Sequence, residues 1–259
     1  MSDGRRKVGA SRETKEARVA LNSLPLRWIE EHPEAPVDPE AWFAQVPAVR
    51  QLLETGIEFG PITVFVGENG AGKSTIVEAI AAAYGLNPEG GTHNARHSTF
   101  ASESPLESHL QLARGAGASR KGVFLRAETM HGHFKYLHEI ESEDEGPLGR
   151  HNLQSHGESF LEYLGARGRI RGLWVFDEPE SALSFTNSLG LLARMSELAS
   201  SGSQVILSTH SPVLAAVPGA DIYELGEWGM RRSRYDDLEI VDNWRRFMAA
   251  PERYLRHLE

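Results

Sequence analysis

The stretch Gly67-Glu68-Asn69-Gly70-Ala71-Gly72-Lys73-Ser74 constrains this chain more than any other. It sets two glycines, a lysine and a serine at the spacing of a phosphate-binding loop. The run Ile62-Thr63-Val64-Phe65-Val66 ahead of it is β-branched and aromatic, and reads as a buried strand. Ser74 to Tyr84 behind it reads as a helix that stops at Gly85. Glycine lets such a loop close around a phosphate and adopt positive φ. Its N–H groups then converge on phosphate oxygens at the positive end of the helix. Residues Gly67, Glu68, Asn69, Gly70, Ala71, Gly72, Lys73, Ser74 and Thr75 are therefore the candidate nucleotide contacts. Lys73 is placed to reach the β- and γ-phosphates, and the Ser74 hydroxyl to bind Mg²⁺. A plain glycine turn before a core helix is the alternative; the filled positions and the flanking elements weigh against it.

Composition narrows the class. The chain has 259 residues, enough for one large domain or two small ones, with 40% hydrophobic and 24% charged residues. It has no cysteine, which excludes disulfides, thiolate catalysis and cysteine metal sites. A formal charge of -9 argues against a surface that coats nucleic acid, while a local basic patch stays open. No apolar run approaches the ~18 residues that span a bilayer. Arg5, Arg6 and Lys7 are not followed by the apolar stretch of a secretory signal. The expected location is cytoplasmic, with any membrane action exerted through a partner.

Taken in order, residues 1–18 read as a flexible polar tail, with a nucleic-acid-binding arm as the alternative. In residues 24–55, Asp38-Pro39 reads as a cap with proline at the first helical position. Trp42, Phe43, Val46, Val49, Leu52 and Leu53 follow at helical spacing, with Pro47 interrupting. Trp42 and Phe43 either pack against the sheet or stack on a purine. Ile57-Glu58-Phe59 and Ile62 to Val66 read as two short strands joined by a turn at Gly60-Pro61. Residues 86–105 read as a polar loop, in which Asn94, Arg96 and His97 are candidate contacts. Strands are expected over 106–112 and 122–126, with an exposed stretch over 115–121, and a helix over 129–140. His131, His133 and His138 lie in that helix without a ligand spacing that holds metal.

Leu173-Trp174-Val175-Phe176 is a continuous apolar strand of the kind buried on both faces of a parallel sheet. Asp177-Glu178-Pro179-Glu180 ends it. A helix over 183–199 follows, then a second buried strand from Gln204 to Leu207 that ends at Ser208-Thr209-His210. The alternation predicts an α/β fold with a largely parallel sheet. Ligands sit at the carboxyl ends of such strands, so one site could collect the loop, Asp177 and His210. Asp177 is the carboxylate expected to hold Mg²⁺ or its waters opposite Ser74. Glu178 is placed to orient an attacking water and accept its proton.

These residues resemble the ATP-binding-cassette (ABC-type) P-loop ATPases, over roughly residues 55–225. The loop, Asp177-Glu178-Pro179, Ser181-Ala182-Leu183-Ser184 and Ser208-Thr209-His210 stand in that family's order. Gln154-Ser155-His156-Gly157-Glu158, ahead of an apolar helix, occupies the signature position, with His156 where the family has a glycine. More narrowly the chain is similar to the small stand-alone predicted ATPases of bacteria. It shares with them Arg126-Ala127-Glu128 and the Pro251 to Leu258 segment. The resemblance implies a P-loop NTPase, ABC-ATPase-like sheet flanked by helices, an antiparallel β portion and a small helical subdomain. It implies one ATPase domain over 19–259, with the helical signature subdomain at about 128–168. It also implies ATP as the substrate, Mg²⁺ as the cofactor and a head-to-tail homodimer formed on ATP binding.

In that dimer Ser155, Gly157 and Glu158 would reach the γ-phosphate held by the other subunit. Glu178 would be the catalytic carboxylate, His210 a γ-phosphate contact, and Ser181 to Ser184 part of the interface. The family's Mg²⁺-contacting glutamine is missing near 122–126, and Glu128 is the candidate replacement. The leading expectation is Mg²⁺-dependent ATP hydrolysis that drives dimer closure on an unidentified protein partner. Alternatives are an ATP-dependent switch that recruits a nuclease, a toxin or DNA, a transporter's motor subunit, and a small-molecule kinase.

Overall fold

The computed structural model describes residues 23–86, 104–126, 164–165 and 170–256. The expected tail over 1–18, the polar loop candidates Asn94, Arg96 and His97, the helix over 129–140 with its three histidines, and the signature segment lie outside these residues.

The first element is a strand that the sequence reading passed over, β1 (Trp28–Glu31). A 3-10 turn (Trp42–Gln45) then leads into α1 (Pro47–Thr55). The expected roles of the two prolines are thus reversed. Asp38 closes a tight turn by accepting the Glu40 N–H at 3.0 Å. Pro47 starts the helix at a position where a missing N–H costs nothing and the ring presets φ.

Next come β2 (Ile57–Glu58) and β3 (Ile62–Gly67). Both expected strands are present, but they belong to different sheets. β2 pairs antiparallel with β1, whereas β3 enters a second sheet. The donors between them are already committed: Phe59 N–H bonds Arg27 O at 2.9 Å and Gly60 N–H bonds Thr63 Oγ1 at 3.2 Å. Pro61 has no N–H to offer. α2 (Lys73–Tyr84) ends, as expected, at Gly85, whose φ of 93° lets its N–H and that of Leu86 reach back to Ala82 O and Ala81 O.

Residues 106–109, expected as strand, fall in a 3-10 turn (Pro105–His109) capped by Ser104, whose Oγ accepts the Leu106 N–H at 3.1 Å. Only then does β4 (Leu110–Ala113) begin, pairing antiparallel with β1. The remaining elements are β5 (Gly122–Arg126), β6 (Leu173–Asp177), α3 (Phe185–Ser200), β7 (Gln204–Thr209), β8 (Asp221–Gly226), β9 (Gly229–Ser233), α4 (Glu239–Ala249) and α5 (Glu252–Leu255).

Two sheets result. The smaller is antiparallel in the order β2-β1-β4; the larger runs β5-β6-β7-β3-β8-β9, all parallel except the β9 edge. This is the largely parallel P-loop sheet with an antiparallel portion that the resemblance implied. Its strands β3, β5, β6 and β7 are buried on both faces and alternate between two cores. Phe65, Phe124, Val175 and Ile206 face α1, α2 and the smaller sheet. Val64, Val66, Val123, Leu125, Trp174, Phe176, Val205 and Leu207 face α3. Period-two alternation hidden inside apolar runs is what a doubly covered strand requires. Because β6, β7 and β3 are adjacent and parallel, their carboxyl ends lie side by side.

Candidate nucleotide site

The loop after β3 is built by backbone requirements. A Cβ at Gly67 would lie 2.5 Å from Leu225 O of the neighbouring strand β8. Gly72 has φ +95°, and a Cβ there would lie 2.7 Å from Val46 Cγ1. The entry to α1 therefore packs directly against the loop. α2 starts at Lys73 with Gly72 as a left-handed cap and no side chain bonded to its first N–H groups. Those N–H groups have no intrahelical partner and carry the positive end of the helix dipole. An alanine at position 72 is expected to cost roughly 1–3 kcal/mol of stability. The Gly72→Ala chain should also lose the rise in melting temperature that MgATP gives the wild type. A full rise in the variant would show that this backbone shape is not required.

Lys73 is buried; its Nζ donates to Glu68 O at 3.0 Å and lies 3.2 Å from Glu178 Oε1. Ser74 Oγ donates to Asp177 Oδ1 at 3.1 Å. The carboxyl end of β6 thus meets the first turn of α2, as anticipated. Asp177 is buried at the strand end, where it also accepts from Ser208 Oγ and sits 3.6 Å from Arg126 Nε. Burial pushes the Asp177 carboxyl above its ordinary value, and the bonds from Ser208 and Ser74 and the Arg126 charge pull against that rise. Hard oxygen donors from one hydroxyl and one carboxylate fit Mg²⁺, which binds through few protein ligands and completes its shell with water and phosphate. Among the described residues there is no cluster of three or more His, Asp or Glu for another kind of metal centre.

Glu178 follows Asp177 in the left-handed region, with φ 46°, the one non-glycine among the described residues at positive φ. Its N–H is held by Ser208 O at 3.1 Å. This turn redirects the chain so that Glu178 does not alternate away from Asp177 as a strand neighbour would. One carboxylate oxygen faces Lys73; the other lies 3.7 Å from His210 Nδ1. Loop lysine, catalytic candidate and histidine are therefore gathered at the carboxyl ends of adjacent central strands.

Several polar residues here were quoted within motifs of the sequence but given no role of their own. Ser208 bonds both the Asp177 carboxylate and the Glu178 backbone. Arg126 bridges Glu78 Oε1, at 2.8 Å, and Asp177. It stands at the end of β5, where the family's glutamine was sought. Glu180 holds the residues around His210. The available signal was positional: Ser208 and Arg126 are polar residues closing apolar runs, and they neighbour Asp177 in register. Glu128, Ser155, Gly157 and Glu158 lie outside the described residues. Of the two aromatic candidates, Phe43 is core, whereas Trp42 is 60% exposed and meets Phe43 edge to face. Trp42 lies four residues before Val46, the residue against Gly72.

Comparison with known proteins gives a consistent outline. The AAA_23 family, an AAA domain, matches residues 48–143. The chain is 25% identical over 231 residues to an uncharacterized ABC transporter ATP-binding protein of Haemophilus influenzae, covering 80% of this chain and 87% of that protein. It is 27% identical over 194 residues to the molybdenum import ATP-binding protein ModC of Mycobacterium tuberculosis, covering 64% of this chain and 51% of ModC. Among solved structures, the SMC head domain of Thermotoga maritima aligns with a TM-score of 0.42 at 18% identity, over 69% of this chain and 93% of that one.

Proposed function

We propose that this chain, an ABC-type P-loop ATPase by its motifs, its sheet and its relatives, binds and hydrolyses MgATP and closes head to tail with a second copy as it does so. The observation that carries the reading is the placement of Glu178 between Lys73 and His210, beside the Ser74–Asp177 pair. Lys73 and the loop N–H groups bind the β- and γ-phosphates and neutralise charge that develops during transfer. Ser74 and Asp177 hold the cation. When bound, Mg²⁺ supplies charge stabilisation to the phosphoryl oxygens. Glu178 orients a water in line with the γ-phosphate and accepts its proton, and His210 contacts that phosphate. Trp42, exposed and four residues ahead of the Val46 that packs on Gly72, is the aromatic candidate for stacking on the purine.

Completion of the site in trans falls to Ser155, Gly157 and Glu158 of a second copy, and Glu128 takes the role of the absent glutamine. What supports closure in the described residues is the surface next to the site. Ser181 and Ser184 are exposed, and α3 continues with Phe185 and Leu189, 67% and 46% exposed and one turn apart. A trans interface would cover these apolar side chains.

The test is the solution mass of Glu178→Gln by light scattering. A monomer that becomes a dimer only with MgATP is expected. A mass that ignores MgATP, in a chain shown to bind it, overturns closure by this chain alone. A second reading, the ATP-binding subunit of an importer, is favoured by the names of the relatives above. No helix among the described residues is long and apolar enough to cross a membrane, so that reading requires separate membrane subunits. It predicts that the chain sediments with membranes, whereas a free dimer stays in the supernatant.

A further inference from the structure

Glu180 sits in the 3-10 turn Pro179–Ala182 that follows Glu178, with its side chain only 10% exposed. A glutamate three residues past a strand end would ordinarily be solvated. Here a single oxygen, Oε1, accepts the Thr209 hydroxyl and the His210 backbone N–H, both at 2.7 Å. The chain of bonds continues, because Thr209 Oγ1 accepts the Ser211 N–H at 2.9 Å. Short bonds to a carboxylate are about twice as strong as neutral ones. One side chain thus clamps the backbone on both sides of His210.

The ring itself is engaged incompletely. His210 Nδ1 lies 3.3 Å from Glu180 Oε1 and 3.7 Å from Glu178 Oε2, yet it has no aligned hydrogen bond and is buried. Glu180 Oε2 is likewise buried and without a partner. Buried polar atoms left without a partner cost free energy. The turn at Glu178, with φ 46°, brings the two carboxylates to flank the same ring.

We propose that Glu180 is a positioning residue, which fixes where the His210 imidazole stands relative to Glu178 by holding the Thr209 hydroxyl, the His210 N–H and the Nδ1 edge of the ring. This inference rests on the reading of Glu178 and His210 as the hydrolytic pair. In this role Glu180 acts through His210.

The experiment compares steady-state ATP hydrolysis and thermal stability for the wild type, Glu180→Gln, Glu180→Ala, His210→Ala and the Glu180→Gln/His210→Ala pair. Glutamine keeps one oxygen for the two 2.7 Å bonds and loses the second carboxylate oxygen. Glu180→Gln should lower kcat by roughly 10-fold and Glu180→Ala by up to ~100-fold, the scale of a displaced reacting group. KM and the MgATP-induced shift in melting temperature should stay within about two-fold of wild type. In the His210→Ala background, Glu180→Gln should cost nothing more. Equal losses in both backgrounds, or a fall in melting temperature and affinity that parallels kcat, overturn the assignment. The ¹⁵N resonances of the His210 ring, in the nucleotide-free chain, give a second readout that needs no turnover. They should move in Glu180→Gln, and unmoved resonances also overturn it. A wild type without ATPase activity, or a His210→Ala chain with full activity, would instead remove the hydrolytic reading, and the ring resonances would still decide the Glu180 contact.

Discussion

Glu178→Gln lowers the rate of ATP hydrolysis at least ~100-fold while MgATP binding persists. The two halves of this expectation come from different atoms. Glutamine preserves the side-chain length and, at φ 46°, inherits the same backbone, which is pinned by Ser208 O rather than by the carboxylate. The Ser74–Asp177 pair and the loop are untouched, so the phosphate and cation contacts remain. What disappears is the negative oxygen pair that accepts a proton from water. That carboxylate also lies 3.2 Å from Lys73 Nζ. Removing its charge frees Lys73 for phosphate, so ATP affinity should hold or rise. A free ATP concentration of about 100 times Kd should stabilise the variant by ~2.7 kcal/mol. Single-turnover rates and a thermal shift in the same buffer measure both halves. Wild-type turnover by the variant sinks the assignment of Glu178; loss of the thermal shift shows instead that the carboxylate was needed for binding.

Gln204→Ala destabilises the protein by about 3 kcal/mol or more, since each buried polar group left unpaired costs ~1–3 kcal/mol. Gln204 is fully buried at the first position of β7. Its Oε1 accepts the Leu26 N–H at 2.8 Å, and its Nε2 donates to Leu26 O at 2.7 Å and Gly60 O at 2.9 Å. Leu26 lies just ahead of β1, and Gly60 on the connection between β2 and β3. One amide therefore bolts the smaller sheet to the larger, in the manner of a missing strand. Alanine would strand three backbone groups in a region without water access. A melting temperature about 6–12 °C lower is expected for a chain of this size. The nucleotide loop lies at the opposite end of β3, so MgATP should still raise the melting temperature of the variant. Gln204→Glu serves as a second probe, because a carboxylate cannot donate to two carbonyls. A loss below ~1 kcal/mol in both variants, read from urea unfolding, would remove this role.

The legible parts of the molecule are those whose signal is local. Strand, glycine loop and helix follow one another within residues 62–85, and each depends on its own sequence: branched residues, glycines at positive φ, then a helix closed by Gly85. β6 and β7 were visible as apolar runs because a strand covered on both faces needs apolar residues throughout. The errors fall on elements too short to show a period. β1 has four residues and β2 has two, and the pairing of β1 with β4 is set by residues some eighty positions away. β8 was not read at all, although it lies parallel to β3 and its Leu225 carbonyl is what makes glycine necessary at position 67.

The sequence by itself determined which groups the protein can present to a nucleotide: a phosphate loop, a lysine, a serine, a strand-end aspartate and glutamate, and a later histidine. Residue type and spacing suffice there because each item is made by a few consecutive residues. Only the tertiary structure decided how these groups are tuned. Ser208 and Arg126 reach Asp177, Glu180 holds the backbone around His210, and Gln204 joins the sheets across 178 positions of chain. Such contacts depend on strand order and register. These are set by how apolar faces from distant segments close over one another, and no local pattern of residues encodes that closure.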